Sequence, residues 1–206
     1  MYAPYVGQQG GTTTVTKEYQ HVFKRTAANF ATGTFGGAST AADGDASLCR
    51  SFCVQSMDGA LTLYEGDTLA FERFLPGFLL PGPLSYVAAT DSFVTANSGC
   101  QLESYRYLTL ANAAAGQGQE GGGRRVKSDW SLDIGEQVLD IVAAATLTPT
   151  LIVLGERTVF WVSSSSGSVR FCKRMGVEPS CCWPYRVVDD VTSLLVASHD
   201  NTLTVM

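Results

Sequence analysis

The chain has 206 residues, enough for one large domain or two small ones, and its 45% hydrophobic against 16% charged content excludes an intrinsically disordered polymer. A formal net charge of −5 gives it little general attraction for phosphate backbones, which argues against non-specific nucleic-acid binding. No apolar run is long enough for a transmembrane helix, and the first residues lack the basic start and apolar centre of a signal peptide, so a cytosolic location is expected.

Along the chain, residues 1–13 read as a flexible segment. Thr14–Val22 follows as an outer strand, and Asn29–Phe35 as an inner one. FCVQS (Phe52–Ser56), a Met57-Asp58-Gly59 turn and ALTLYE then spell a β-hairpin: an apolar strand, a tight turn and an alternating strand. The same pattern returns in SFVTA (Ser92–Ala96) with CQLESYRYLTL, in TLIVLG (Thr150–Gly155) with TVFWVS, and in SLLVAS (Ser193–Ser198) with TLTVM. Further inner strands are expected at Leu84–Ala89, Val138–Ala144 and Ser180–Tyr185. Outer strands are expected at Leu69–Phe74, Val126–Leu132 and Ser168–Arg174.

The equivalent positions Leu61, Leu102, Val159 and Leu203 recur at intervals of about 40–45 residues once a Gly/Ala/Gln-rich insertion, residues 111–125, is set aside as a loop. A four-stranded antiparallel unit with that period is the mark of β-propeller blades. The expected fold is therefore all-β: a partial propeller of WD40-like architecture over residues 14–206, with about three to four blades. It begins in one blade's outer strand and stops after another's third strand. Either it is a piece of a larger ring, or Thr14–Val22 pairs with Thr202–Met206 to close a small one.

One passage does not fit a strand. RFLPGFLLPGPLSY (Arg73–Tyr86) is apolar but interrupted by Pro76-Gly77 and Pro81-Gly82-Pro83. It reads as the crossover from one blade's rim to the next blade's inner strand, where proline removes donors that would be orphaned and glycine permits unusual backbone angles. Phe74, Leu75, Pro76, Phe78, Leu79, Leu80 and Pro81, together with Trp130, are the candidate inter-blade packing residues or interface. If Phe78 is buried, its truncation to alanine costs ~3–5 kcal/mol. The alternative is an exposed apolar loop that docks a partner.

Catalytic constellations are sparse. His21 and His199 lie in an outer strand and a hairpin turn, with no nucleophile and orienting group arranged around them. Cys49, Cys53, Cys100, Cys172, Cys181 and Cys182 lack the spacing of zinc knuckles and read as small buried hydrophobes. The glycines of Gly33–Gly37 and Gly116–Gly123 lack the lysine and helix of a phosphate loop. Arg124, Arg125 and Lys127 read as a solvated loop end, and Asp129, Asp133, Glu136 and Asp140 as a solvated rim. No enzyme activity, cofactor, metal or small-molecule substrate is expected, although an enzyme using metal or thiols and hosted on the blades is a third reading.

Several phrases carry a resemblance: QSMDG (Gln55–Gly59), FLPGFLLPGPL (Phe74–Leu84), TDSF (Thr90–Phe93), ESY (Glu103–Tyr105), WSLDIGEQVLDI (Trp130–Ile141) and PSCCWPY (Pro179–Tyr185). From about Tyr19 to the end, the chain resembles the N-terminal propeller of the Bardet–Biedl syndrome protein 9 family, also called parathyroid-hormone-responsive protein. The resemblance implies a non-enzymatic scaffold subunit of the BBSome, the coat-like complex that carries membrane proteins into and out of cilia or flagella. It further implies other BBSome subunits as partners, indirect contact with ciliary membrane and cargo, and a location in the cytoplasm and at the cilium and its base. A stand-alone propeller-like binding module unrelated to cilia is the alternative.

Overall fold

The computed structural model describes residues 2–6, 13–17, 20–37, 51–77, 80–113, 126–144, 148–188 and 191–206. Two strands, β1 (Tyr2–Val6) and β2 (Thr13–Lys17), form an antiparallel pair in the register Tyr2 opposite Lys17. Four antiparallel sheets follow in chain order. The first contains β3 (Ala27–Gly33), β4 (Ser51–Ser56), β5 (Ala60–Glu65) and β6 (Thr68–Phe74). The second contains β7 (Leu84–Val87), β8 (Ser92–Ala96), β9 (Gln101–Arg106) and β10 (Trp130–Asp133), with a short helix, α1 (Tyr107–Asn112), between its last two strands. The third contains β11 (Val138–Ala144), β12 (Thr150–Gly155), β13 (Thr158–Ser163) and β14 (Val169–Arg174). The fourth contains β15 (Pro179–Val188), β16 (Val191–Ser198) and β17 (Leu203–Val205).

Each sheet is a meander of sequential neighbours, and the first strands lie beside one another in series: β3 by β7, β7 by β11, β11 by β15. This is the arrangement of propeller blades, with inner strands at the axis and last strands at the rim. Burial follows the radius. All of β4, β8 and β12 is buried, whereas every residue of β14 is exposed. A second strand is covered on both faces, which is why FCVQS, SFVTA and TLIVLG lack alternation.

Three apolar clusters glue the sheets at their seams. Cys53, Leu61 and Leu63 of the first sheet meet Phe93 and Tyr105 of the second. Val94, Ala96 and Leu102 meet Ile141, Leu151, Val153 and Val162 of the third. Ile152, Leu154 and Val159 then meet Cys182, Leu194 and Val196 of the fourth. The period-two geometry of a strand does the sorting: Phe93 faces one seam and Val94 the next, and Leu151 and Val153 alternate with Ile152 and Leu154.

Several expectations need correction. Residues 1–13, expected to be flexible, contain β1, because Tyr2–Val6 finds a complete set of antiparallel partners in β2. The strand expected at Thr14–Val22 is Thr13–Lys17, and Gln20–Val22 is not extended in a sheet. Among the described residues, β2 pairs with β1 and β17 with β16, so the chain ends do not close a small ring. The segment YLTL is helical rather than part of β9. Ser92, the first residue of β8, already lies opposite Arg106, and beyond it the backbone has no neighbouring strand to join. β10 begins at Trp130, not Val126, and the insertion's first residues, Ala111 and Asn112, complete the helix.

Candidate functional site: the seams and the uncovered sheet faces

The described residues of the crossover after β6 bond to turns and side chains in place of sheet pairing. The Leu75 amide donates to the Gly59 carbonyl at 3.1 Å, and its side chain, 6% exposed, enters the first seam. The Leu80 amide donates to the Ser98 hydroxyl at 3.2 Å. At Gly82 a Cβ would lie 2.5 Å from the Ala96 carbonyl oxygen, so only glycine lets the crossover lie this close to β8. The Asn29 amide donates to the Gly82 carbonyl at 2.6 Å and to Gln55 Oε1 at 2.7 Å. Gln55 in turn donates to Thr95 Oγ1 at 3.3 Å. Gln55 and Thr95 are fully buried, and this chain of polar groups joins the first and second sheets to the crossover with their hydrogen bonds made.

The candidate packing residues separate. Leu75 is in the core, and Pro76 and Pro81 are half-buried. Phe74 and Leu80 do not fill the seam: they are 43% and 68% exposed. The parity of β6 turns Phe74 away from the second sheet, where Arg25 lies 4.6 Å over its ring. Leu80 stands exposed to solvent beyond residues 78–79 of the crossover. Phe78 and Leu79, and with them the Phe78 truncation, lie outside the described residues. Trp130 is half-buried at the second seam, where its indole donates to the Ser164 carbonyl at 2.9 Å. Its ring occupies the space a Cβ at Gly167 would need.

Arg73, the one charge at the head of the apolar run, had no role assigned from the sequence. It is buried, and its guanidinium donates to the carbonyls of Leu110 (2.8 Å), Ala111 (3.0 Å) and Glu72 (2.8 Å). It thereby caps the last turn of α1 from the neighbouring blade, a favourable place for a cation at a helix C-terminus. The only sequence signal for this was a lone arginine before a long apolar stretch.

The carboxylates expected on a solvated rim are structural acceptors. Asp129 accepts the Arg106 amide at 2.6 Å, Glu136 the Arg157 amide at 3.0 Å, and Asp140 the Cys182 amide at 2.9 Å. Asp133 accepts the Gly135 amide within its own turn. The cysteines also divide. Cys53 and Cys182 are buried, Cys100 is half-buried, and Cys172 and Cys181 are exposed, Cys172 because it lies on the rim strand β14 and Cys181 because β15 turns it away from the third seam. Cys49 lies outside the described residues. Burial pushes the Cys53 thiol well above its ordinary range, and pushes Cys182 up to about 12 with the nearby Asp140 and Cys181 adding to it. Both are held as neutral thiols, poor nucleophiles and poor metal ligands. Among the described residues no group of three His, Cys, Asp or Glu side chains is placed to hold a metal ion. No helix among them is long and apolar enough to cross a membrane.

The first and last sheets each turn one face away from a seam. On the first, Gln20–Thr26 lies as a strap. His21 is 4.5 Å from the Tyr64 ring and 5.3 Å from Phe52, and Phe23 is 5.9 Å from Tyr64. Arg25 pairs with Asp58 and, at 3.0 Å, with Glu72. The Ser56 hydroxyl, and then Arg25, hold the Asp58 carboxyl below its ordinary range. Among the described residues the fourth sheet has no such strap. Trp183 (65% exposed) and Tyr185 stand out from β15, and Leu203 (67% exposed) and Val205 from β17.

Comparison with known proteins places this geometry. Solved structures of similar fold are BBS1N in complex with ARL6DN, at TM-score 0.56 and 15% identity over 75% of this chain and 45% of that one. The WD40 β-propeller domain of Doa1 gives TM-score 0.56 and 14% identity over 76% of this chain and 46% of that one. At these identities the likeness is one of fold: a partial β-propeller. In sequence, the chain is 44% identical to Protein PTHB1 of Xenopus laevis over 91% of its length, and 44% identical to Protein PTHB1 of Homo sapiens over 90%. It spans 22% and 21% of those relatives, respectively. The family described as PTHB1 N-terminal matches residues 4–206, and the chain belongs to that family.

Proposed function

We infer that this chain is a non-enzymatic scaffold portion that binds other proteins through its blades. We read the PTHB1 relatives as the Bardet–Biedl syndrome protein 9 family, and the complex as the BBSome of ciliary or flagellar membrane-protein trafficking. Its partners are then other BBSome subunits, with membrane and cargo reached through the complex, at the cilium and its base. The observation that carries the binding reading is the fourth sheet. One face is buried against the third sheet, and the other offers Trp183, Tyr185, Leu203 and Val205 together, a density of large apolar groups typical of protein contacts. The related fold of BBS1N, solved in complex with ARL6DN, supports protein partners. The arrangement of polar groups supports it too, since Gln55, Asp129 and Asp140 are taken up by backbone and inter-blade bonds.

The test is affinity purification of the tagged full-length protein from ciliated cells, followed by identification of what accompanies it. Recovery of BBSome subunits is expected, reduced by Trp183→Asp with Leu203→Asp. Recovery of none sinks the ciliary assignment, and unchanged recovery with the double variant removes the fourth sheet's face from the binding surface.

A further inference from the structure

The outer strands of the blades differ in one respect that the stacking does not use. β14, Val169-Arg170-Phe171-Cys172-Lys173-Arg174, is exposed at every position, and among the described residues it pairs only with β13, with no strand at its other edge. No backbone hydrogen bond joins that edge to another described residue. Three of its six residues are cationic, in a chain whose net charge is −5. The outer strands of the first two blades carry no such excess. β6 balances Arg73 against Glu72 and turns Arg73 into the α1 carbonyls, while β10 carries only Asp133. On β14, Lys173 and Arg174 form no ion pair with a described residue. Arg170 sits at a register shift and donates to the Thr148 hydroxyl at 2.7 Å and the Thr150 hydroxyl at 3.3 Å.

The pairing with β13 fixes which way the side chains face. Phe171 lies opposite Trp161 and Lys173 opposite Val159, on the face toward the fourth sheet. Cys172 and Arg174 lie opposite Phe160 and Thr158, on the other face. The Phe171 ring leans on Trp161 with centroids 5.1 Å apart and is more than half exposed. The open edge thus presents an apolar ring followed by one cation on each face, beside a row of unpaired backbone donors and acceptors. Cations on an edge strand repel a second copy of themselves and deter neutral strands. The same charges favour a strand bearing carboxylates.

We propose that the β14 edge is a docking site for an extended acidic peptide segment of a partner protein, added to the third sheet as a further strand. An apolar residue of that segment lies against Phe171, and carboxylates lie opposite Lys173 and Arg174. A lipid phosphate would satisfy the cations and the edge donors but leave the edge carbonyls unpaired, whereas a strand satisfies all of them. This site is separate from the fourth sheet's apolar face and does not depend on the ciliary assignment.

The probe is a fluorescent Glu-Glu-Ser-Val-Ser-Glu-Glu peptide, which reads the same in either chain direction, titrated into the 206-residue chain and followed by anisotropy and amide hydrogen exchange. Saturable binding is expected, with slowed exchange over residues 169–174. Lys173→Glu with Arg174→Glu, Phe171→Asp, or a peptide with Gln for Glu should each weaken binding about tenfold or more, and Lys127→Glu should not. Lys173→Gln with Arg174→Gln, which removes the attraction without adding charge, serves if the reversal unfolds the chain. Equal binding of the Gln peptide, no effect of the Lys173 and Arg174 substitutions, or binding without protection of residues 169–174 would overturn the site. Binding to phosphatidylserine vesicles in place of the peptide would make the strand a membrane contact and overturn it as well.

Discussion

Arg73 shows how a single residue joins two blades. Its charge is removed from water, and three carbonyls on two elements replace the lost hydration. Arg73→Ala should lower stability by about 2–3 kcal/mol, and Arg73→Lys should not restore it, because an ammonium cannot span the Leu110 and Ala111 carbonyls as a planar fork does. Urea denaturation of the three proteins decides this. Asp58 allows a prediction in pH. Its carboxyl is held below the ordinary value, so its contribution is present above about pH 4 and is lost as pH falls through the depressed folded value. Because the pair with Arg25 is largely exposed, the contribution is at most ~1 kcal/mol. The difference in urea midpoint between the parent chain and Asp58→Asn should therefore shrink between pH 7 and pH 3, and a constant difference would contradict the assignment. At this scale the sequence was least legible. Nothing in Gln55, Asn29 or Thr95 as letters marks them as a bonded chain, because their partners lie on other strands and are far apart in sequence.

Single elements were far easier to read. The hairpins at Ser51–Glu65, Ser92–Arg106 and Thr150–Ser163 are visible in the text because a strand's alternation and a tight turn's Asp, Asn or Gly are local properties. Gly59, at φ 81°, and Cys100, at φ 59°, occupy left-handed positions in the first two of those turns. Boundaries failed where a neighbour ended, as at Tyr107, since extended backbone with no adjacent strand gains nothing from staying extended. Burial within an element follows the seams, and this can be measured by truncation. Leu154, in the second strand of the third sheet, is fully buried in the third seam, and Leu203, in the third strand of the fourth sheet, stands on the uncovered face. Leu154→Ala should cost about 2–5 kcal/mol, and Leu203→Ala about 0.5 kcal/mol or less, read as shifts in denaturation midpoint. Equal losses at the two sites would mean that Leu203 is covered.

In the whole molecule, stability accumulates seam by seam, since each sheet touches its neighbours in the series and a sheet at either end has one face outside the seams. The two end sheets handle that face differently: Gln20–Thr26 straps the first, and the fourth leaves Trp183 and Leu203 in water. Trp183→Lys with Leu203→Lys should lower binding of a hydrophobic fluorescent dye while leaving the unfolding midpoint nearly unchanged, because neither side chain contributes to a seam. A large fall in the midpoint would place both residues in the core. The blade repeat, the all-β class and the crossover could be taken from the letters, because periodicity, turn residues and paired Pro-Gly steps act over a few neighbours. The covering of Leu75 but not of Leu80, the turning of Arg73 into a helix end, and the exposure of the whole of β14 could not. Those depend on which distant strands come to lie alongside, and the chain settles that only when its sheets stack.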